Sequence, residues 1–372
     1  LIVISGGGTG GHLAIAKSLC EELNRRGIKP LFIGSTQGQD RAWFENDENF
    51  SDKIFLQSSG VVNKRGLAKL GSLLNILKLA LKCRKIFKTR RVRAVVSVGG
   101  YSAAPAALGA LLCGVKLFIH EQNAVTGKLN QILKPFATGF FSSYDKISPY
   151  AYPVAKRFFT NARSRRELKT ILFLGGSQGA KAINELALKI APALKSRGIK
   201  IIHQCGKNAL NDLKEKYAQA GLKICENFSE RNFAEGTGDD YYEGIRPCAN
   251  ANANADVELF DFYPHIEQKM ACADLAISRA GAGSLCELCA NRLPAIFVPF
   301  PYAAGNHQYF NAKFLENEGL AKICPQDGDE INCDKILALL ENYDLERASD
   351  GLKAVFSQNG AKDIIDKILA RI

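Results

Sequence analysis

The chain has 372 residues, room for two domains of ordinary size. Hydrophobic residues make up 47% and charged residues 23%, which is ordinary for a soluble globular protein with real cores. The net charge of +12 is unevenly placed: from Lys53 to His120 there are thirteen Lys or Arg and no Asp or Glu, so one surface of the N-terminal half must attract nucleic acid, anionic lipid or phosphorylated substrates.

In chain order, Leu1–Ser5 reads as a short apolar strand, His12–Gly27 as an amphipathic helix stopped by a glycine, and Pro30–Gly34 as a second strand. Leu1-Ile-Val-Ile4 is too short for the apolar region of a signal peptide. From Lys64 to Arg93 the chain is basic and helical: Leu70, Leu74, Leu77 and Leu81 form one stripe, Leu73, Ile76 and Leu79 lie further round, and Lys78, Lys82 and Lys85 share the opposite side. One apolar stripe would be core. The extra apolar width beside so much positive charge points to an anionic membrane surface, with a wide buried face as the alternative. Ala94–Val98 is a strand ending in Gly99-Gly100, and Val115–His120 is another. The uncharged run Ala94–Val115 holds glycines, serines and Pro105, so it reads as strand, loop and buried helix rather than a membrane span.

The pattern restarts at Lys169–Ala180, again strand, glycine turn and helix, followed by strands at Lys200–Gln204, Leu275–Ser278 and Ala295–Val298. Strands alternating with helices imply parallel sheets covered on both faces. The expected division is 1–155, then 166–343 after a link near Tyr150–Arg166, then a helical segment 344–372. Residues 225–256 are acidic and rich in Gly and Asn, which reads as an insertion or surface loop. Eleven cysteines, an odd number without a spaced framework, point to a reduced compartment, and the lone Cys286-x-x-Cys289 reads as two packed thiols rather than a zinc site.

Gly6, Gly8 and Gly11 have the spacing of a dinucleotide fingerprint, but the second strand ends Ile33-Gly34-Ser35-Thr36 without the acid that fingerprint needs. His12-Leu13 stand where a P-loop has Lys and Ser or Thr. What remains is a glycine turn that brings backbone N–H groups to an anion at a helix start, or a tight turn alone. A histidine at that start has its cationic form disfavoured and can accept a proton. Gly99-Gly100-Tyr101-Ser102-Ala103-Ala104-Pro105 is a second such turn, and two at one sheet edge make a diphosphate cradle. His120-Glu121-Gln122-Asn123 places four polar residues at a strand end, the ligand edge of a parallel sheet.

Gly175-Gly176-Ser177-Gln178-Gly179 opens the second half with a helix start suited to a nucleotide diphosphate. After Ser278-Arg279-Ala280-Gly281-Ala282-Gly283, Ser284 and Glu287 fit either a capping box or a carboxylate that accepts both ribose hydroxyls of a nucleoside. His307, Gln308 and Asn311 share one helical turn, and amide side chains suit sugar hydroxyls. Asp327-Gly328-Asp329 reads as a turn, not a metal site. The basic stretch has few aromatics for base stacking, so nucleic acid is not an expected partner.

Together and in this order, Gly-Gly-Thr-Gly-Gly-His, Gly-Gly-Tyr-Ser-Ala-Ala-Pro, His-Glu-Gln-Asn, Gly-Gly-Ser-Gln-Gly-Ala and Ser-Arg-Ala-Gly-Ala…Glu resemble the MurG family, the bacterial peptidoglycan N-acetylglucosaminyltransferases. The resemblance runs over nearly the whole chain apart from 225–256. It implies an α/β GT-B fold, two Rossmann-like parallel-sheet domains facing a central cleft. It also implies inverting transfer of N-acetylglucosamine from UDP-N-acetylglucosamine to the muramyl 4-hydroxyl of lipid I, an undecaprenyl-diphosphate-linked acceptor, giving lipid II. Such enzymes sit peripherally on the cytoplasmic face of the bacterial cytoplasmic membrane, and neither cofactor nor bound metal is implied.

Carried over by motif, Thr9, Asn123, Ser177, Tyr263, Ala282, Ser284, Glu287 and Gln308 would serve the donor. Gly10, Gly11, Gly99, Gly100, Tyr101 and Ser102 would serve the acceptor diphosphate, with His12 the candidate base. Other readings are a GT-B transferase with a different lipid acceptor and a UDP-N-acetylglucosamine epimerase. The chain departs from the family at Tyr152-Pro-Val-Ala155, where the family carries Asn-Pro-Val-Arg, and neighbouring Lys156 and Arg157 would point elsewhere. Its His307-Gln308 stands in place of paired glutamines.

Overall fold

A computed structural model describes residues 1–60, 66–144, 151–176, 179–225 and 254–372. The chain forms two units, Leu1–Ala155 with Asn359–Ile372, and Lys156–Gln358.

The first unit runs β1 (Ile2–Gly6), α1 (Gly10–Arg25), β2 (Leu31–Ser35), α2 (Asp40–Phe44), β3 (Asp52–Leu56), α3 (Gly66–Thr89), β4 (Ala94–Gly99), α4 (Ala104–Leu111), β5 (Lys116–Glu121), α5 (Lys128–Leu133) and β6 (Gly139–Ser142). Its sheet is parallel in the order β3-β2-β1-β4-β5-β6. Strands β1, β2 and β4 are buried along their whole length, because their Val, Ile and Leu runs are covered on both faces. The chain leaves β1 toward β3 and returns to the other side of β1 as β4. That reversal puts the ends of β1 and β4 side by side, the position where open α/β sheets take ligands.

The second unit runs α6 (Arg157–Thr160), β7 (Thr170–Leu174), α7 (Lys181–Ser196), β8 (Lys200–Gln204), α8 (Leu210–Gln219), β9 (Ile224–Cys225), β10 (Val257–Phe260), α9 (Ile266–Cys272), β11 (Leu275–Ser278), α10 (Ala282–Ala290), β12 (Ala295–Phe297), α11 (His307–Asn317), β13 (Ala321–Ile323), α12 (Cys333–Glu341) and α13 (Leu345–Val355). Its parallel sheet has the order β13-β12-β11-β7-β8-β10-β9, with the reversal between β7 and β11. Residues 226–253, most of the expected insertion, lie outside the described residues.

The C-terminal segment is not one element. α13 stays in the second unit, while α14 (Ala361–Leu369) packs on α1 of the first. Ile364, Ile365 and Ile368 are fully buried there, and Arg26 ion-pairs with Asp366 at 2.6 Å. Three buried isoleucines, at roughly 1.5–3 kcal/mol each, outweigh that half-exposed pair.

α3 has two apolar faces. Ile76, Ala80, Cys83 and Phe87 are buried, and the helix packs on α4 so closely that a Cβ at Gly109 would lie 2.7 Å from Cys83 Cβ. The stripe Leu70, Leu74, Leu77 and Leu81 faces solvent together with Leu73, each 49–60% exposed, and Lys78, Lys82 and Lys85 are exposed alongside. Among the described residues no helix is long and apolar enough to cross a membrane.

Candidate active site

At the reversal point of the first unit the two glycine turns interlock. Gly7 N donates to Gly99 O at 3.1 Å, and Gly100, at φ +79°, sits where a Cβ would lie 2.1 Å from Gly7 O. Only glycine fits there, so the pairing of the turns is written into the backbone. Asp40, fully buried at the start of α2, accepts hydrogen bonds from Gly8 N and, at 2.7 Å, from Ser35 N. It thereby holds the first turn against the end of β2. Sequence reading passed over Asp40, because nothing local marks a helix-start aspartate as a loop anchor.

Thr9 is the N-cap residue of α1 and exposed, with Gly10 and Gly11 in the first helical turn. Thr9 Oγ1 lies 2.9 Å from His12 Nδ1, and Gln122 Nε2 lies 2.8 Å from His12 Nε2. Tyr152 O–H donates to Gln122 Oε1 at 3.4 Å, which orients that amide with its N–H2 toward the imidazole. An amide nitrogen only donates, so in this arrangement His12 Nε2 accepts, and the ring carries its proton on Nδ1 and donates it to Thr9. The basic lone pair of His12 is thus held by Gln122. His120 is buried and neutral: burial first, then the nearby His12, pull it down to about 3.

Glu121, buried at the end of β5, accepts from Asn123 N at 3.0 Å, Gly127 N at 2.9 Å and Asn130 Nδ2 at 2.8 Å. This sets the loop that carries Asn123. The motif contained Glu121, but its service to backbone several residues ahead has no periodic signal. Tyr101 is half-buried beside Gly8, and Ser102 is buried with its hydroxyl unpartnered.

In the second unit, Gly175, Gly179, Arg279, Phe300, Gln308 and Asp329 line a cavity of about 380 Å3. Gly179, at φ +76°, lies where a Cβ would come within 2.5 Å of Cys205 O. Ser177 lies outside the described residues. Gln308 Oε1 accepts from Phe300 N at 2.9 Å, leaving its N–H2 group for a ligand. Asn311 turns the other way, buried, and donates to Ala280 O at 3.2 Å, so the expected sugar-facing pair of amides is reduced to one. His307 Nδ1 lies 2.9 Å from Ala304 O. Arg279, lowered to about 10 by burial, donates to Val298 O at 3.0 Å and lies over Phe300. It is a cation at the cavity wall to which sequence reading assigned no role.

Gly281 is the N-cap of α10, without a side-chain cap, which places Ser284 inside the first turn and Glu287 in the second. A capping box needs Ser284 at the cap, so that alternative for Glu287 falls. Ala282 is buried, while Ser284 and Glu287 are partly exposed. Tyr263 follows β10, with its O–H donating to Gln268 Oε1 at 3.1 Å. Neither Tyr263 nor Glu287 lines the cavity that Gln308 does. Cys286 and Cys289 are buried free thiols, as two packed thiols would be.

The described folds and loops have counterparts. The glycosyltransferase family 28 N-terminal domain model matches residues 2–142, and the family 28 C-terminal domain model matches residues 170–368. The chain is 52% identical to the UDP-N-acetylglucosamine--N-acetylmuramyl-(pentapeptide) pyrophosphoryl-undecaprenol N-acetylglucosamine transferase of Campylobacter fetus subsp. fetus, over 99% of both chains. The protein of the same name from Wolinella succinogenes is 47% identical, again over 99% of both. The crystal structure of Acinetobacter baumannii MurG aligns with a TM-score of 0.70 and 28% identity, covering 99% of this chain and 98% of that one. Two Rossmann-like parallel sheets, each with glycine turns at its reversal point, and near full-length identity of this order place the chain in glycosyltransferase family 28, as a member of the MurG glycosyltransferases with the GT-B fold.

Proposed function

We propose that this chain transfers N-acetylglucosamine from UDP-N-acetylglucosamine to the muramyl 4-hydroxyl of lipid I, forming lipid II for peptidoglycan synthesis. The observation that carries this reading is identity of 47–52% over essentially the full length to transferases named for that donor and acceptor. In the step, the acceptor O4 forms a bond to the anomeric carbon as the bond from that carbon to the UDP oxygen breaks. UDP leaves with the electron pair, the configuration inverts, and a base takes the acceptor proton.

The donor falls to the second unit in this reading. Glu287 accepts the two ribose hydroxyls, Tyr263 meets uracil through its backbone, Ala282, Ser284 and Ser177 meet the diphosphate, and Gln308 meets the sugar. In the first unit, Thr9 and Asn123 contact the transferred sugar. Gly10, Gly11 and the Gly99–Ser102 turn take the acceptor diphosphate, a reading supported by the start of α1 at Gly10, which no side chain caps. His12 is the base, and takes the proton on Nε2 once Gln122 gives up its hydrogen bond. The exposed leucines and lysines of α3 support a peripheral seat on the anionic cytoplasmic face of the membrane.

The test is transfer of radiolabelled N-acetylglucosamine to a soluble lipid I analogue in the presence of EDTA. A labelled disaccharide product is expected. UDP-N-acetylglucosamine binding without transfer would overturn the acceptor, and product formation abolished by EDTA would overturn the metal-free step.

A further inference from the structure

His12 stands at one end of a chain of side chains whose other end, Tyr152, has no role above. His12 Nε2 meets the Gln122 amide nitrogen at 2.8 Å, and Gln122 Oε1 accepts from the Tyr152 hydroxyl at 3.4 Å. Two links of this chain can run either way. The Thr9 hydroxyl, 2.9 Å from His12 Nδ1, can accept from that nitrogen or donate to it, and an amide can turn either its N–H2 or its oxygen to an imidazole. With N–H2 toward the ring, Nε2 keeps its lone pair. With the oxygen there, Nε2 must carry the proton, and the lone pair moves to Nδ1, on the Thr9 side. Which nitrogen is basic is therefore decided on the far side of Gln122.

Two neighbours decide it. A phenol oxygen shares its lone pair with its ring, so Tyr152 is the better donor and calls for the amide oxygen. That oxygen also lies over Gly11, where a Cβ would come within 3.3 Å of it, in the first turn of α1. The positive end of a helix favours an oxygen there over an N–H2 group.

Tyr152 is held for this task. It is 3% exposed, and its ring stands edge-on to buried His120, with centroids 5.7 Å apart at 81°. Its carbonyl accepts from Gly360 N at 3.2 Å, and a Cβ at Gly360 would overlap Ala151 O, so the two segments meet backbone to backbone. Gly360 is the N-cap of α14. Beside it, Asn359 accepts from Ala361 N at 2.9 Å and donates to the Ser18 hydroxyl of α1 at 3.4 Å. The helix that begins at His12 thus braces, through the start of α14, the segment that carries Tyr152.

We propose that Tyr152 is a positioning residue for His12: its buried hydroxyl, docked by the start of α14, holds the Gln122 amide so that the basic lone pair of His12 stays on Nε2. The inference rests on His12 Nε2 taking the acceptor proton.

The experiment combines steady-state kinetics on the full chain with histidine-nitrogen NMR, the His12 signals being those that vanish in His12→Ala. Wild type is expected to show the proton on Nδ1 and a bare Nε2. Tyr152→Phe keeps the ring against His120 and removes only the hydroxyl. The proton is then expected to shift in part to Nε2, and kcat to fall roughly two- to tenfold, the span of one neutral hydrogen bond, with donor KM unchanged. Gln122→Glu, which has no N–H to offer, is expected to place the proton on Nε2 with Tyr152 still present. In a Gln122→Ala background, Tyr152→Phe is expected to cost nothing more, because the hydroxyl acts through the amide. An unmoved tautomer in Tyr152→Phe, or an equal loss of kcat with and without Gln122, would overturn the inference and leave His12 as the base. Near-normal turnover in His12→Ala would remove the base, and the inference with it, whatever the tautomer.

Discussion

Gln122 decides what His12 can do. With its amide N–H on His12 Nε2 and Thr9 on Nδ1, the imidazole is fixed in plane and tautomer, with its lone pair already aimed. His12→Ala is expected to lower kcat by about 10²–10⁴-fold with little change in UDP-N-acetylglucosamine affinity. Near-normal turnover would remove the base. Gln122→Ala leaves the lone pair unheld but the ring free to rotate, so a smaller loss in kcat is expected, with KM for the donor unchanged. Steady-state kinetics on the two variants separates a base from a turn-shaping histidine.

At the scale of elements, α3 shows how burial sorts one hydrophobic helix into two surfaces. Its leucine stripe carried the stronger sequence signal, yet the residues against α4 are Ile76, Ala80, Cys83 and Phe87, smaller on average and able to bring the helices close. The leucines stay outside, an apolar strip that a monomer has no reason to expose beside lysines unless it meets a surface. The double variant Leu74→Glu, Leu77→Glu is expected to reduce binding to anionic vesicles at least tenfold in a flotation assay, with turnover of a soluble acceptor analogue retained. Undiminished flotation would show that the membrane seat lies elsewhere.

For the whole molecule, each unit buries a histidine that cannot hold a proton. Burial lowers both His120 and His203 from 6.5 to about 3, in the first case helped by His12. Their folded values lie below the unfolded one, so the unfolded chain binds more protons between the two. Stability is therefore full above about pH 6.5 and is lost as pH falls toward 3, by roughly 1.4 kcal/mol per pH unit for each histidine. His203, bonded to Tyr217 and Asn184 at 3.0 Å, is the cleaner test. His203→Asn is expected to cost stability at neutral pH but to flatten the acid slope by that amount in denaturant melts. An unchanged slope would show that the ring is not the group taking up the proton.

The alternation of strand and helix, the two glycine-led restarts and the motif residues from Gly6 to Gln308 were legible in the amino-acid order, because period and turn chemistry are local properties. Local order likewise determined that the N-terminal half carries a basic, doubly apolar helix. Only the tertiary structure decided which face of α3 is core, that α14 returns to α1, that Asn311 turns inward and Gln308 does not, that Asp40 and Glu121 brace loops of the first unit, and that Arg279 lines the cavity of the second. Most of those depend on partners tens or hundreds of residues away, and the nearer ones, such as the Glu121 contacts, follow no helix or strand period. Packing and the pairing of buried charge are settled by which surfaces meet, and sequence spacing holds no record of that.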